Sequence, residues 1–188
     1  ILDVLLLLGR LRQAIERVKK ERILRVIHLA DEALHRLGIA APRLAVAGLN
    51  PHAGEGGMFG REEIEEIMPA IEDACTEGLR AEGPIPPDTV FSKMMGGQYD
   101  AVIVMYHDQG HIPTKLAGFQ YDRQTNSWTS MSGVNVTLGL PIVRASVDHG
   151  TAFGKAGEGR ANPESMIQAI EMAARLARPV ASEPVPQA

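Results

Sequence analysis

A single cysteine, Cys75, stands among 188 residues, which excludes an internal disulfide and suits a reducing compartment. Its neighbours, Glu72 to Glu77, read as helix, so it is taken as a packed thiol rather than a reactive one. The chain has no basic run and no alternation of aromatic and basic residues, and its formal net charge is -4. Both argue against nucleic acid as a partner. Nor is there a long apolar run. The most apolar stretch, Ile1 to Leu8, contains Asp3 and is followed by Arg10 and Arg12, far short of the ~20 residues a membrane span requires. Without a basic leader or a small-residue cleavage site, no signal peptide is expected, and a cytoplasmic location is. The first residue is Ile rather than Met, and a chain incomplete at its N-terminus is expected. What is present, 45% hydrophobic and 22% charged residues, is ordinary for a globular protein able to bury a core.

Apolar strand-like runs alternate with helical periodicities, which implies a layered α/β fold. Residues 12–37 repeat apolar positions at helical spacing until Gly38 stops the run as a C-cap would. His28 and His35 fall on it as ordinary helix-surface histidines. Residues 62–76 form a second amphipathic helix that Pro69 should kink or split. Residues 83–87, with three prolines, read as a rigid extended connector. Residues 101–105, 134–138 and 140–144 read as strands. The segment from Tyr106 to Phe119 reads as a loop, because Gly110 and Pro113 make a poor helix. A last helix is expected from Asn162, as cap, and Pro163, at the first helical position, to about Arg178. Residues 179–188 read as a flexible tail.

Three loops carry histidine among small residues, each straight after a strand-like run. The first is Gly48-Leu-Asn-Pro-His-Ala-Gly-Glu-Gly-Gly57, the second Met105-Tyr-His-Asp-Gln-Gly110, the third Asp148-His-Gly-Thr-Ala152. A histidine at the carboxyl end of a buried strand is placed to meet a ligand. Neutral imidazole is the commonest metal ligand, which makes His52 a candidate, with Glu55 as its carboxylate partner. Packing against the helix start near Arg61 is the bland alternative. His107 and His111 share the i,i+4 spacing of helical zinc ligands, but no glutamate base adjoins His107 as in zinc hydrolases. A loop in which His107 alone ligates, beside Asp108, is the better reading. Lys115, Asn135 and Arg144 would bind a doubly anionic group if their elements are neighbours; singly, each is as readily a solvated polar residue. The glycine-rich run from Asp148 to Pro163 could wrap an adenosine, or be a plain surface loop. No Gly-x-Gly-x-x-Gly follows a strand, so a Rossmann dinucleotide site is not supported.

The first two motifs, together with Gly133-Val-Asn-Val-Thr-Leu-Gly-Leu-Pro141 and Ser146-Val-Asp-His-Gly-Thr-Ala152, closely resemble the 4-hydroxythreonine-4-phosphate dehydrogenase family of pyridoxal phosphate biosynthesis. The glycine-rich loop also resembles the adenosine-binding loop of isocitrate and isopropylmalate dehydrogenases, whose layered, non-Rossmann α/β fold the family shares. That resemblance implies a dehydrogenase-like region over residues 1–178. It implies NAD- or NADP-dependent oxidation of 4-phosphohydroxy-L-threonine, then metal-assisted decarboxylation, in a homodimer with a shared active site. His52 and His107 would bind a divalent metal (Zn, Mg, Mn or Co) with a third, upstream histidine. Lys115, Asn135 and Arg144 would bind a small anionic substrate. Lys115, Asp108 and Asp148 would handle protons or support the metal ligands, and His149, Gly150, Thr151, Ala152 and Asn162 would hold the nicotinamide cofactor.

Three departures accompany the match. Family chains carry an N-terminal portion of ~100 residues or more, a domain-sized piece. The third metal histidine should fall near Leu7 or Leu8, where the sequence has none. The stretch from Tyr121 to Ser132, with Trp128, extends the substrate-side loop. It resembles relatives acting on phosphorylated sugar acids or on cis-dihydrodiols of aromatic acids, which supplies the alternative substrates. A non-catalytic remnant that keeps only the fold is the alternative from another class.

Overall fold

The structure is a computed structural model, and it describes residues 2–3, 10–124, 126–131, 133–151, 153–159 and 161–178. The expected tail, Ala152 and the Leu7 and Leu8 positions lie outside the described residues. Four parallel strands form the central sheet: β1 (Leu2–Asp3), β2 (Leu44–Ala47), β3 (Ala81–Ile85) and β4 (Ala101–Val104), in the order β1-β4-β2-β3. Parallel neighbours need crossover connections, and helices supply them on both faces.

Every residue of β2 and β4 is buried, and the period of two divides them between two cores. Leu44 and Val46, with Ala101, Ile103 and Met105, pack against Ile23 and Ile27 of α2 (Lys20–Arg36) and against Ile71 of α3 (Met68–Thr76). Ala45, Ala47, Val102 and Val104 face the other way, against Val90 of α4 (Pro87–Met95). The first expected helix is in fact two, α1 (Leu11–Glu16) and α2. The periodicity runs on, but Lys19 is extended and Val18 is buried. The new start is capped from another element: Glu66 accepts from the Lys20 backbone N–H at 2.9 Å and pairs with Lys19 Nζ at 2.6 Å. Gly38 ends α2 as expected, with φ +92° and the paired bonds Gly38 N–H to His35 O and Ile39 N–H to Leu34 O, a Schellman closure. Pro69 splits the next helix, with a π-helical turn, Glu63–Ile67, before α3.

Three expectations are corrected. Residues 83–87 do not form a free connector: Gly83 to Ile85 complete β3, and Pro87 begins α4. At the edge of the described sheet Pro84 is tolerated, because no further described strand needs its missing N–H. The segment after Tyr106 is not a loop but a helix, α5 (His107–Gly118). Its first turn is anchored by tertiary hydrogen bonds that outweigh the poor propensity of Gly110 and Pro113. The strand expected at 140–144 begins only at Arg144. Leu140, Ile142 and Val143 are exposed, and β8 (Arg144–Val147) pairs antiparallel with β7 (Val134–Thr137). Before them, β5 (Phe119–Asp122) and β6 (Ser127–Met131) form an antiparallel hairpin where the extended loop was expected. The last helix, α6 (Glu164–Leu176), packs on β8 and starts one residue later than expected, with Asn162 Oδ1 accepting from the Glu164 N–H at 2.9 Å.

Ile103 is fully buried at the sheet centre while Ile112 is 66% exposed. Ile103→Ala should therefore cost about 2–5 kcal/mol of unfolding free energy. Ile112→Ala should cost less than about 0.5 kcal/mol, both read by urea denaturation.

Candidate active site

Strands β2 and β4 are adjacent and parallel, so the segments leaving their carboxyl ends lie side by side, where open α/β sheets bind ligands. The segment after β2 turns sharply. His52 (φ 53°, ψ 31°), Ala53, Gly54, Glu55 and Gly56 are all left-handed. For the three non-glycine residues this costs roughly 1–2 kcal/mol each, and something must hold the turn.

Glu63 holds it. Its side chain is buried, and its carboxylate accepts from the backbone N–H of Leu49 at 2.8 Å, that of Asn50 at 2.7 Å and Asn50 Nδ2 at 2.9 Å. A Cβ on Gly54 would lie 2.8 Å from Glu63 Oε2, and one on Gly48 would lie 2.9 Å from Ala53 Cα, so the turn closes on the carboxylate only with glycine at both places. Burial alone would push the Glu63 carboxyl up; the N–H donors of Asn50 and Leu49 outweigh it and hold the group below the ordinary carboxylate range.

His52 stands exposed on this turn, with Nδ1 3.2 Å from Glu55 Oε1 and its ring edge-on to Phe59. The carboxylate partner foreseen for it is thus in place. At the end of β4, His107 opens α5 with Nδ1 2.7 Å from Asp108 Oδ1. A carboxylate in such a pair accepts from Nδ1–H, the tautomer that leaves the lone pair of a neutral imidazole on Nε2. The two histidine segments are tied by Gln109. Its buried side chain accepts from the Met105 N–H at 2.7 Å and donates to Gly48 O at 2.7 Å. The Gly48 N–H in turn donates to Ile85 O.

The other candidates are distributed. His111 stacks on His107, with ring centroids 4.0 Å apart and 12° between planes, and its Nδ1 lies 3.8 Å from Asp148 Oδ1 just past β8. His107, His111 and Asp148 are therefore brought together. Lys115, two turns along α5, lies 5.7 Å from the Phe119 ring centroid. Asn135 sits on β7 opposite Ser146. Arg144 starts β8, where Nη1 donates to Thr137 Oγ1 at 2.8 Å, at the opposite end of the strand from Asp148. It borders a groove between α2, the β7–β8 turn and α6. His149 Nδ1 meets Gly150 O, and Gly150 and Thr151 are exposed. Asn162 caps α6. Among the described residues no group of three or more His, Cys, Asp or Glu side chains is gathered as a metal would need. Sequence reasoning missed Glu63 and Gln109 altogether; neither sits in a spacing that betrays a partner 13 to 61 residues away.

Comparison with known proteins adds to this geometry. The family profile described as "Pyridoxal phosphate biosynthetic protein PdxA" matches residues 9–173. A relative from Bradyrhizobium diazoefficiens is 59% identical over 162 residues, covering 86% of this chain and 47% of its own. The D-threonate 4-phosphate dehydrogenase of Pectobacterium atrosepticum is 50% identical, over 89% of this chain and 48% of its own. The 4-hydroxythreonine-4-phosphate dehydrogenase of Desulforapulum autotrophicum is 52% identical, over 84% and 44%. Among solved structures, the 4-hydroxythreonine-4-phosphate dehydrogenase of Klebsiella pneumoniae matches with TM-score 0.75 and 48% identity, over 89% of this chain and 47% of that one. The terephthalate 1,2-cis-dihydrodiol dehydrogenase of Burkholderia xenovorans matches with TM-score 0.65 and 31% identity, over 89% and 50%. The chain spans about half the length of the curated relatives it matches.

Glu63→Gln replaces an acceptor of three N–H bonds with a group that presents only one oxygen. It should cost about 1.5–3 kcal/mol at neutral pH. Because the folded carboxyl lies below its unfolded value, the stabilisation is full above about pH 4.3 and is lost as pH falls through the folded value. The gap between wild type and variant should therefore close in acid, as read by denaturation at a series of pH values.

Proposed function

The chain belongs to the family of pyridoxal phosphate biosynthetic protein PdxA, and from that premise we propose that it is the part of an NAD- or NADP-dependent dehydrogenase that carries the metal-binding histidines. The reaction is oxidation of a secondary alcohol in a small phosphorylated hydroxy acid, 4-phosphohydroxy-L-threonine in the first reading. A hydride passes from the alcohol carbon to the nicotinamide and the hydroxyl proton to a base. The resulting β-keto acid then loses its carboxylate as carbon dioxide. The observation that carries this reading is the pair His52 and His107, held at adjacent strand ends with each Nδ1 engaged by a carboxylate. Carboxylate–imidazole pairing of this kind is the usual support of metal-ligating histidine.

A divalent metal, Zn, Mg, Mn or Co, fits these two imidazole donors and would supply Lewis acidity toward the substrate's alcohol oxygen. Two donors do not complete a site, and a further ligand comes from outside the described residues. Asp148 and Asp108 handle the proton or support the ligands. Lys115, Asn135 and Arg144 bind the anionic ends of the substrate, where guanidinium and ammonium suit phosphate and carboxylate. The place of Arg144 at the far end of β8 supports its serving the active site of a second copy, in a cytoplasmic homodimer. The layered fold is that of isocitrate dehydrogenase, with residues 1–178 as one region and the loop with His149, Gly150, Thr151, Ala152 and Asn162 on the cofactor. Relatives named for D-threonate 4-phosphate and for 4-hydroxythreonine-4-phosphate stand at 50% and 52% identity, which supports carrying D-threonate 4-phosphate as a second reading. The two acids differ only in whether C2 bears a hydroxyl or an amino group.

The test is NAD+ and NADP+ reduction by the full-length protein with both phosphorylated acids and a terephthalate cis-dihydrodiol, with each metal supplied. Reduction with one phosphorylated acid, accompanied by carbon dioxide release, is expected; failure with both overturns the reading. His52→Ala and His107→Ala should each weaken Co2+ binding, measured by calorimetry, by more than about 100-fold, beyond the 10–100-fold that losing an outer partner costs. Undiminished binding in both variants would remove these histidines from the site.

A further inference from the structure

We propose that His111 is a positioning residue for His107. Its ring, steadied by Asp148, sets the plane of the His107 imidazole and hence the direction of the outward Nε2. The inference rests on the proposed function for its purpose, but its geometry stands by itself.

Asp108 fixes which nitrogen of His107 carries the proton, yet it is a weak orienter. Its side chain is 72% exposed and sits on the adjacent residue, so it is free to follow the ring as the ring turns. His111 is differently held. Its side chain is 20% exposed and that of Asp148 12%. The two rings lie nearly parallel at 4.0 Å, so rotating His107 about its ring axis would break a face-to-face contact.

Asp148 reaches His111 from another layer. At 3.8 Å the Nδ1–Oδ1 approach is longer than a hydrogen bond, so Asp148 steadies the ring as a packed neighbour. That packing is tight: a Cβ on Gly133, at the entry to β7, would lie 3.2 Å from Asp148 Cβ. The backbone of Gly133 therefore limits where the Asp148 carboxylate can go. The i,i+4 pair on α5 thus reads as one imidazole for the ligand and one for alignment, which accounts for the spacing without a helical two-histidine metal site.

The test uses the full-length protein with isotope-labelled histidine rings, read by the nuclear Overhauser contacts of the ring protons. His107 is expected in one ring orientation in the wild type, with a fixed set of contacts to α5 and to the His111 ring. In His111→Ala those contacts should average over several orientations while the Asp108 pairing persists, and Co2+ affinity should fall about tenfold. His111→Phe keeps a flat ring for stacking and cannot itself ligate; it should restore the single orientation and most of the affinity. Thermal melts separate misfolding from misalignment. Unchanged His107 contacts to α5 in His111→Ala overturn the proposal, as does a His111→Phe variant that folds yet behaves like the alanine. If the wild type binds no metal at all, the proposed function fails while the ring contacts still decide the role of His111.

Discussion

A buried carboxylate with only N–H partners underlies the candidate site. Glu63 is shut from solvent, and its described hydrogen bonds come from the backbone of Leu49 and Asn50 and the Asn50 amide. A charge so placed would be costly unless donors met it, and here the donors are the peptide groups of Leu49 and Asn50, which lead into the left-handed turn. The arrangement is reciprocal. The entry to the turn solvates the carboxylate, and the carboxylate anchors that entry and packs under Gly54, beside the three non-glycine residues in the left-handed region. His52 is one of the three, so its place depends on a residue with which it shares no described hydrogen bond.

The second constraint is the parallel sheet itself. Because β2 and β4 are neighbours in register, Leu44 with Ala101 and Val46 with Ile103, their carboxyl ends emerge together. Gln109 then joins the two exits through Gly48 and Met105. Any slip of one strand against the other would break a buried two-ended amide bridge. The histidine segments are thus fixed relative to one another by core packing beneath and by one side chain above.

The buried strands, the Gly38 stop and the Pro69 split were legible because each depends on local composition: apolar runs, a residue free to take positive φ, a missing N–H. The turn that carries His52 was legible for the same reason. What failed was decided at a distance. Gly110 and Pro113 argue against α5, but Gln109 anchors its first turn to β2 and β4. Leu140, Ile142 and Val143 read as a buried strand because they are apolar, yet they line an open groove and the strand starts after them. The restart of α2 at Lys20 depends on Glu66, and the turn at His52 depends on Glu63. No window along the chain contains both partners of these contacts.

The two histidines reach the same carboxylate pairing by opposite backbone routes. His52 lies in a left-handed turn and meets a carboxylate three residues on; His107 opens a right-handed helix and meets one on the next residue. Each route engages Nδ1 with a carboxylate. Those sequence-local carboxylates are themselves exposed, so they cannot settle the plane of the ring. For His52 the rigidity comes from the strained turn below it. The turn is absent at His107, whose helix permits rotation about the side-chain bonds, and there the ring contact among the described residues is with His111. If a ligand is to meet both imidazoles, as the proposed function requires, a fixed backbone on one side and a stacked neighbour on the other are two solutions to the same requirement, that neither ring wander.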